Sequence, residues 1–128
     1  MAGKIIADTL ETGAGADIST SYVVNGSAKA YSLWDMADLS GTGGTTGIDT
    51  SFNVSSMDDN GAGDFDINFT NSFSSVNYVA TSATRSGARR VLTREVATAS
   101  YMQGLTRNDS NANSDASGCS VAIHGDLA

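Results

Sequence analysis

His124 and Cys119 are the chain's single histidine and single cysteine, and each is a candidate to be weighed for chemistry. One histidine cannot by itself anchor a histidine-based metal site. One cysteine excludes both an intrachain disulfide and a cysteine metal cluster. A Ser-His-Asp relay through His124 and Asp126 has no G-x-S-x-G elbow or comparable motif behind it. A histidine at a strand end or subunit contact is the better reading. Cys119 alternates with Val121 and Ile123, the pattern of a small buried hydrophobe. Asp58, Asp59, Asn60, Asp64 and Asp66 offer oxygens of the kind calcium takes. Ala62 and Phe69, however, stand where an EF-hand loop would place ligands. A turn with Asx capping is expected instead. The run from Gly41 to Gly47 lacks the Lys-Ser/Thr of a phosphate-binding loop and its strand–loop–helix setting. No catalytic residue, cofactor or metal is assigned, and the chain is expected not to be an enzyme.

Charge is more informative. Fourteen acidic against seven basic residues give a net charge of −7, which argues against a nucleic-acid binder, since that needs a basic footprint. The first seventy residues hold ten acids and only Lys4 and Lys29 as bases. All five arginines, Arg85, Arg89, Arg90, Arg94 and Arg107, lie in one later stretch, where Glu95 is the only acid. On a strand, Arg90 and Arg94 share one face while Arg89 shares the other with Glu95. Two readings stay open: a solvated face, or an interface to an acidic surface such as another copy of the chain.

The elements that would carry these residues read as strands. Only two Glu and two Lys occur, too few for an ordinary helical surface. Ser, Thr, Asn and Gly suit turns and wet strand faces instead. Tyr22–Val24 and Ala28–Trp34 flank Asn25-Gly26, a hairpin signal. Ser40–Thr50 is glycine- and threonine-rich and is expected to be a flexible loop. Phe52 and Val54 alternate with polar residues, Asp58–Gly63 supplies a turn, and Phe65, Ile67 and Phe69 alternate again, predicting an antiparallel hairpin in a one-sided sheet. Val76–Thr81, Ala88–Ser100 and Cys119–His124 read as further strands, with a polar loop over 107–118. The expected fold is all-β: one antiparallel sandwich or jelly-roll-like domain over 22–128, with an extended arm over 1–21. Lys4, Ile5, Ile6 and Leu10 make that arm a candidate attachment segment. No window approaches the roughly 18 apolar residues of a membrane span. Met1–Ile6 lacks the apolar run of a secretory signal. A soluble protein made in the cytoplasm is expected.

Several segments resemble small virion proteins of tailed bacteriophages, of the tail-fibre and structural kind. They are Met1–Thr12 (MAGKIIADTLET), Tyr22–Ala30 (YVVNGSAKA), Asp49–Asn60 (DTSFNVSSMDDN), Gly63–Thr70 (GDFDINFT), Asn77-Tyr78 and Val121–Ala128 (VAIHGDLA). Leu39–Gly47 and Thr81–Ser117 have no counterpart, and His124 stands where the family favours an aromatic. The resemblance implies a β-sandwich protein of the phage particle surface, assembled as a homotrimer. It implies a capsid decoration or cement protein bound to the major capsid protein, or alternatively a short tail or head fibre that touches the host. A lectin-like module for host glycans is a third expectation, with Tyr31, Trp34 and Tyr101 as aromatic platforms.

Overall fold

The computed structural model describes residues 7–11, 13–85 and 89–128. In chain order the elements are β1 (Thr9–Glu11), β2 (Asp17–Ser19), α1 (Thr20–Gly26), β3 (Ala30–Trp34), β4 (Ile48–Phe52), β5 (Val54–Gly61), β6 (Asp64–Phe69), β7 (Val79–Thr84), β8 (Arg89–Ala97), β9 (Tyr101–Asn108) and β10 (Cys119–His124). Two four-stranded antiparallel sheets, ordered β4-β3-β10-β7 and β5-β6-β9-β8, face each other; β1 and β2 form a separate ribbon. The all-β sandwich expected from the composition is what the chain forms.

Period-2 patterning decides what each sheet buries. Ala30, Ser32 and Trp34 of β3 point inward with Cys119, Val121 and Ile123 of β10. From the other sheet Phe65, Ile67 and Phe69 of β6 come inward with Met102 of β9 and Met57 of β5. The layers meet where Trp34 packs on Phe65, ring centroids 5.0 Å apart. Phe69, Phe73 and Tyr78 close one end as an aromatic trio. Each such side chain withdrawn from water contributes about 1.5–3 kcal/mol.

Cys119 is fully buried, and its thiol donates to the Ala116 carbonyl at 3.2 Å. Burial pushes this thiol up to about 11, the Asp35 carboxylate acts in the same direction, and a bond with Thr84 opposes both. A thiol raised in the folded state stabilises the fold fully below its ordinary value of about 9 and loses that contribution as pH rises toward 11. Two results are expected: a folded-state thiol that stays nearly inert to an aromatic disulfide reagent at pH 8, and an unfolding midpoint that falls between pH 9 and 11. Reaction of the native thiol at the rate seen in urea would contradict the burial.

The expected strand at Tyr22–Val24 is instead the middle of helix α1. Ser19 caps it, its hydroxyl accepting from the Ser21 amide at 3.3 Å. Asn25-Gly26 ends the helix rather than turning a hairpin: the Ser27 amide donates to the Val23 carbonyl, and the Lys29 amine reaches the Val24 carbonyl. Local capping therefore overrides the β propensity of Val23 and Val24.

Phe52 and Val54 do not share a strand. Asn53 sits between them with φ 56 and exchanges bonds with Asn71, accepting from its amide at 2.7 Å and donating to its carbonyl at 3.0 Å. That left-handed residue passes the chain from one sheet to the other. The turn expected over Asp58–Gly63 is shorter, because β5 runs on to Gly61 and only Ala62 and Gly63 separate it from β6. Asx capping does occur there, the Asp59 carboxylate accepting from the Gly61 amide at 2.9 Å.

The strand expected at Val76–Thr81 lies three residues later, as β7. β9 was not anticipated at all. The glycine-rich loop is not a loose connection either. Gly44 exchanges backbone bonds with Met57, Gly41 accepts from Asp59, and the Gly43 amide donates to the Asp58 carboxylate. It thereby covers the open edge of β5, a strand that would otherwise present unpaired backbone groups.

Candidate interaction surfaces

Lys4, Ile5 and Ile6 lie outside the described residues. Leu10 is on β1, directly opposite Ile18 of β2, and both are nearly half exposed. Alternation puts these two on one face of the ribbon and Thr9, Glu11, Asp17 and Ser19 on the other. Helix α1 follows without a break and buries none of its residues; Tyr22 is 76% exposed, and Val23 and Val24 are about half exposed. The ribbon and helix are joined by Thr20, whose hydroxyl donates to the Ala7 and Asp8 carbonyls at 2.9 and 3.0 Å. Residues 7–11 and 13–26 thus carry apolar side chains that the sandwich leaves uncovered. The boundary expected at residue 21 falls inside α1, which runs on to Gly26.

The arginines do not act as one cluster. Arg94 crosses the outer face of its sheet to pair with Asp64 at 3.1 Å. That exposed pair is worth under about 1 kcal/mol. Arg89 points to the opposite face and donates to the Ser114 hydroxyl. Arg85 leaves the end of β7, where its aliphatic stem fills the space that a Cβ on Gly118 would need. Arg90 and Arg107 do converge, because β8 and β9 pair them directly across the ladder. Like charges at such a position destabilise a sheet. Loop residues partly relieve the repulsion: the Asn111 Oδ1 accepts from Arg90 Nη2 and, at 3.3 Å, from Arg107 Nη1. Asn113 Oδ1 accepts from Arg107 Nε at 3.3 Å. One neutral amide oxygen therefore serves two guanidinium groups. Among the described residues, neither group forms an ion pair.

The loop that supplies Asn111 is set by its own backbone. Asn108 accepts at its side chain from the Ala112 amide at 3.0 Å, and Asn111 takes φ 62. The Asp115 carboxylate accepts from Gly63 at 2.7 Å, tying the loop to the β5–β6 turn.

Of the aromatic platforms expected for glycan binding, Trp34 is excluded. It is fully buried on the inner face of β3 against Phe65, as the alternation Ala30-Ser32-Trp34 dictates. Tyr31, three residues earlier, faces out and stacks on Phe52 of β4, centroids 5.9 Å apart, both about half exposed. The pairing of β3 with β4 makes this contact, which Phe52 alone did not signal. Beside it, Thr81, Ala83, Ser120 and Ala122 line part of a shallow depression of about 290 Å³ between β7 and β10. His124 ends β10 half-buried, opposite Val79. Among the described residues, no group of three His, Cys, Asp or Glu side chains gathers to hold a metal ion.

Comparison with protein-family models, curated proteins and solved structures gives no match.

Proposed function

We propose that the chain is a non-enzymatic structural protein of a bacteriophage particle, a capsid decoration protein that binds the major capsid protein through residues 1–26 and assembles as a homotrimer. The observation that carries this reading is the uncovered apolar surface of the ribbon and helix. Leu10, Ile18, Tyr22, Val23 and Val24 stay exposed in the isolated chain, and that many uncovered apolar side chains on one short segment support an interaction site. The resemblance of Met1–Thr12 and of Tyr22–Ala30 to phage virion proteins supplies the kind of partner.

A short fibre that touches a host glycan is the second reading, favoured by the outward Tyr31–Phe52 pair, since flat aromatic faces suit sugar rings. Imaging of intact particles made from the genome that encodes the chain separates the two. Regularly placed copies on the head are expected; copies on the tail alone would replace decoration with the fibre reading.

A further inference from the structure

Among the described residues three like-charged pairs sit directly across a ladder. Asp58 faces Asp66 on β5 and β6, both half-buried and with Asp58 already accepting from the Gly43 amide; the other two pairs have opposite signs. Arg90 faces Arg107 at one corner of the sandwich, and Glu11 faces Asp17 at the tip of the ribbon. Each arrangement is locally unfavourable. Neither acid of the ribbon tip takes part in an ion pair among the described residues, and both are exposed. The two arginines share a neutral oxygen where a carboxylate would bind far better, because guanidinium–carboxylate bonds are charge-assisted and match in shape.

We propose that the Glu11–Asp17 tip of one copy docks on the Arg90–Arg107 corner of a second copy, so that each like-charged pair is neutralised by the other. The ribbon is suited to this because its two faces differ. The acidic face would meet the neighbouring copy, leaving Leu10 and Ile18 on the opposite face for another surface. Asn111 acts as a placeholder that holds the two guanidinium groups together until the carboxylates arrive. The contact joins two different patches, so it is heterologous and closes into a ring when the rotation per copy allows. It does not depend on what the assembled ring binds. A particle role could fail while this contact stands, and the reverse also holds.

Sedimentation velocity of the full chain at low ionic strength tests the contact. The unaltered chain is expected to associate. The variant Arg90→Glu with Arg107→Glu, and the variant Glu11→Arg with Asp17→Arg, are each expected to weaken association at least about tenfold. All four substitutions in one chain restore the opposite charges with the patches exchanged and are expected to recover association. Circular dichroism and a urea midpoint within the range of the unaltered chain establish that each variant is folded. A monomeric unaltered chain, association that survives either charge reversal, or a folded fourfold variant that stays monomeric would each overturn the proposal.

Discussion

Phe65→Ala is expected to lower the unfolding free energy by about 3–5 kcal/mol, the range for deleting a buried aromatic ring. A domain of this size has only about 5–15 kcal/mol in total. Phe65 is fully buried on β6, and it contacts both layers: Trp34 lies across the sandwich at 5.0 Å, and Gly104 lies beside it on β9. A Cβ on Gly104 would come within 2.3 Å of the Phe65 ring, so the glycine exists to admit the aromatic. The ring therefore fixes both the spacing of the two sheets and the pairing of β6 with β9, and the vacated space has rigid backbone on one side. Urea denaturation measures the loss. A change under about 1 kcal/mol would mean that the Trp34–Phe65 contact is not the centre of the core.

Gly63→Ala is expected to be nearly as damaging, on the order of 4 kcal/mol, because two backbone mechanisms add. Gly63 takes φ 64, a conformation that costs an alanine about 1–2 kcal/mol. Its added methyl would also lie 2.4 Å from the Thr106 carbonyl oxygen and 2.5 Å from the Ser114 amide. Those are main-chain atoms of β9 and of the polar loop. They are locked together, since Ser114 donates to the Thr106 carbonyl at 3.0 Å and Thr106 Oγ1 donates to the Ser114 carbonyl at 2.7 Å. The substitution must therefore push the loop away from the sheet, and with it Asn111, which holds Arg90 and Arg107. On the docking proposed for the Arg90–Arg107 corner, lower stability should come with weaker self-association. A full-stability Gly63→Ala variant would contradict the tight approach of these three segments.

Some of this was legible from the residues. Phe65-Ile67-Phe69 and Cys119-Val121-Ile123 showed strict alternation and became β6 and β10. β9 was hidden because its inward positions are Met102, Gly104 and Thr106: the glycine yields its place to Phe65, and the threonine bonds the loop. That hydrophobic pattern cannot be seen without the partner strand. Helix α1 was hidden by a β-favouring Tyr22-Val23-Val24 run whose capping by Ser19 and Lys29 is local hydrogen bonding, not periodicity. The arginine-rich stretch was plain in the sequence. Which arginines meet was not, because Arg90 and Arg107 are brought together only by the β8–β9 register, while Arg94 pairs across two strands with Asp64. The Tyr31–Phe52 stack has the same origin in strand pairing.

The central proposal is that residues 1–26 attach the chain to a larger particle while the sandwich faces away from it. Electron cryomicroscopy of the intact particle, at a resolution that separates ribbon from sandwich, measures this most directly. The account predicts symmetric copies on the head shell, with Leu10, Ile18 and the α1 valines covered by the shell and the sandwich facing solvent. Copies seated by a sandwich face with the ribbon and helix free in solvent, or particles that lack the chain, would contradict it.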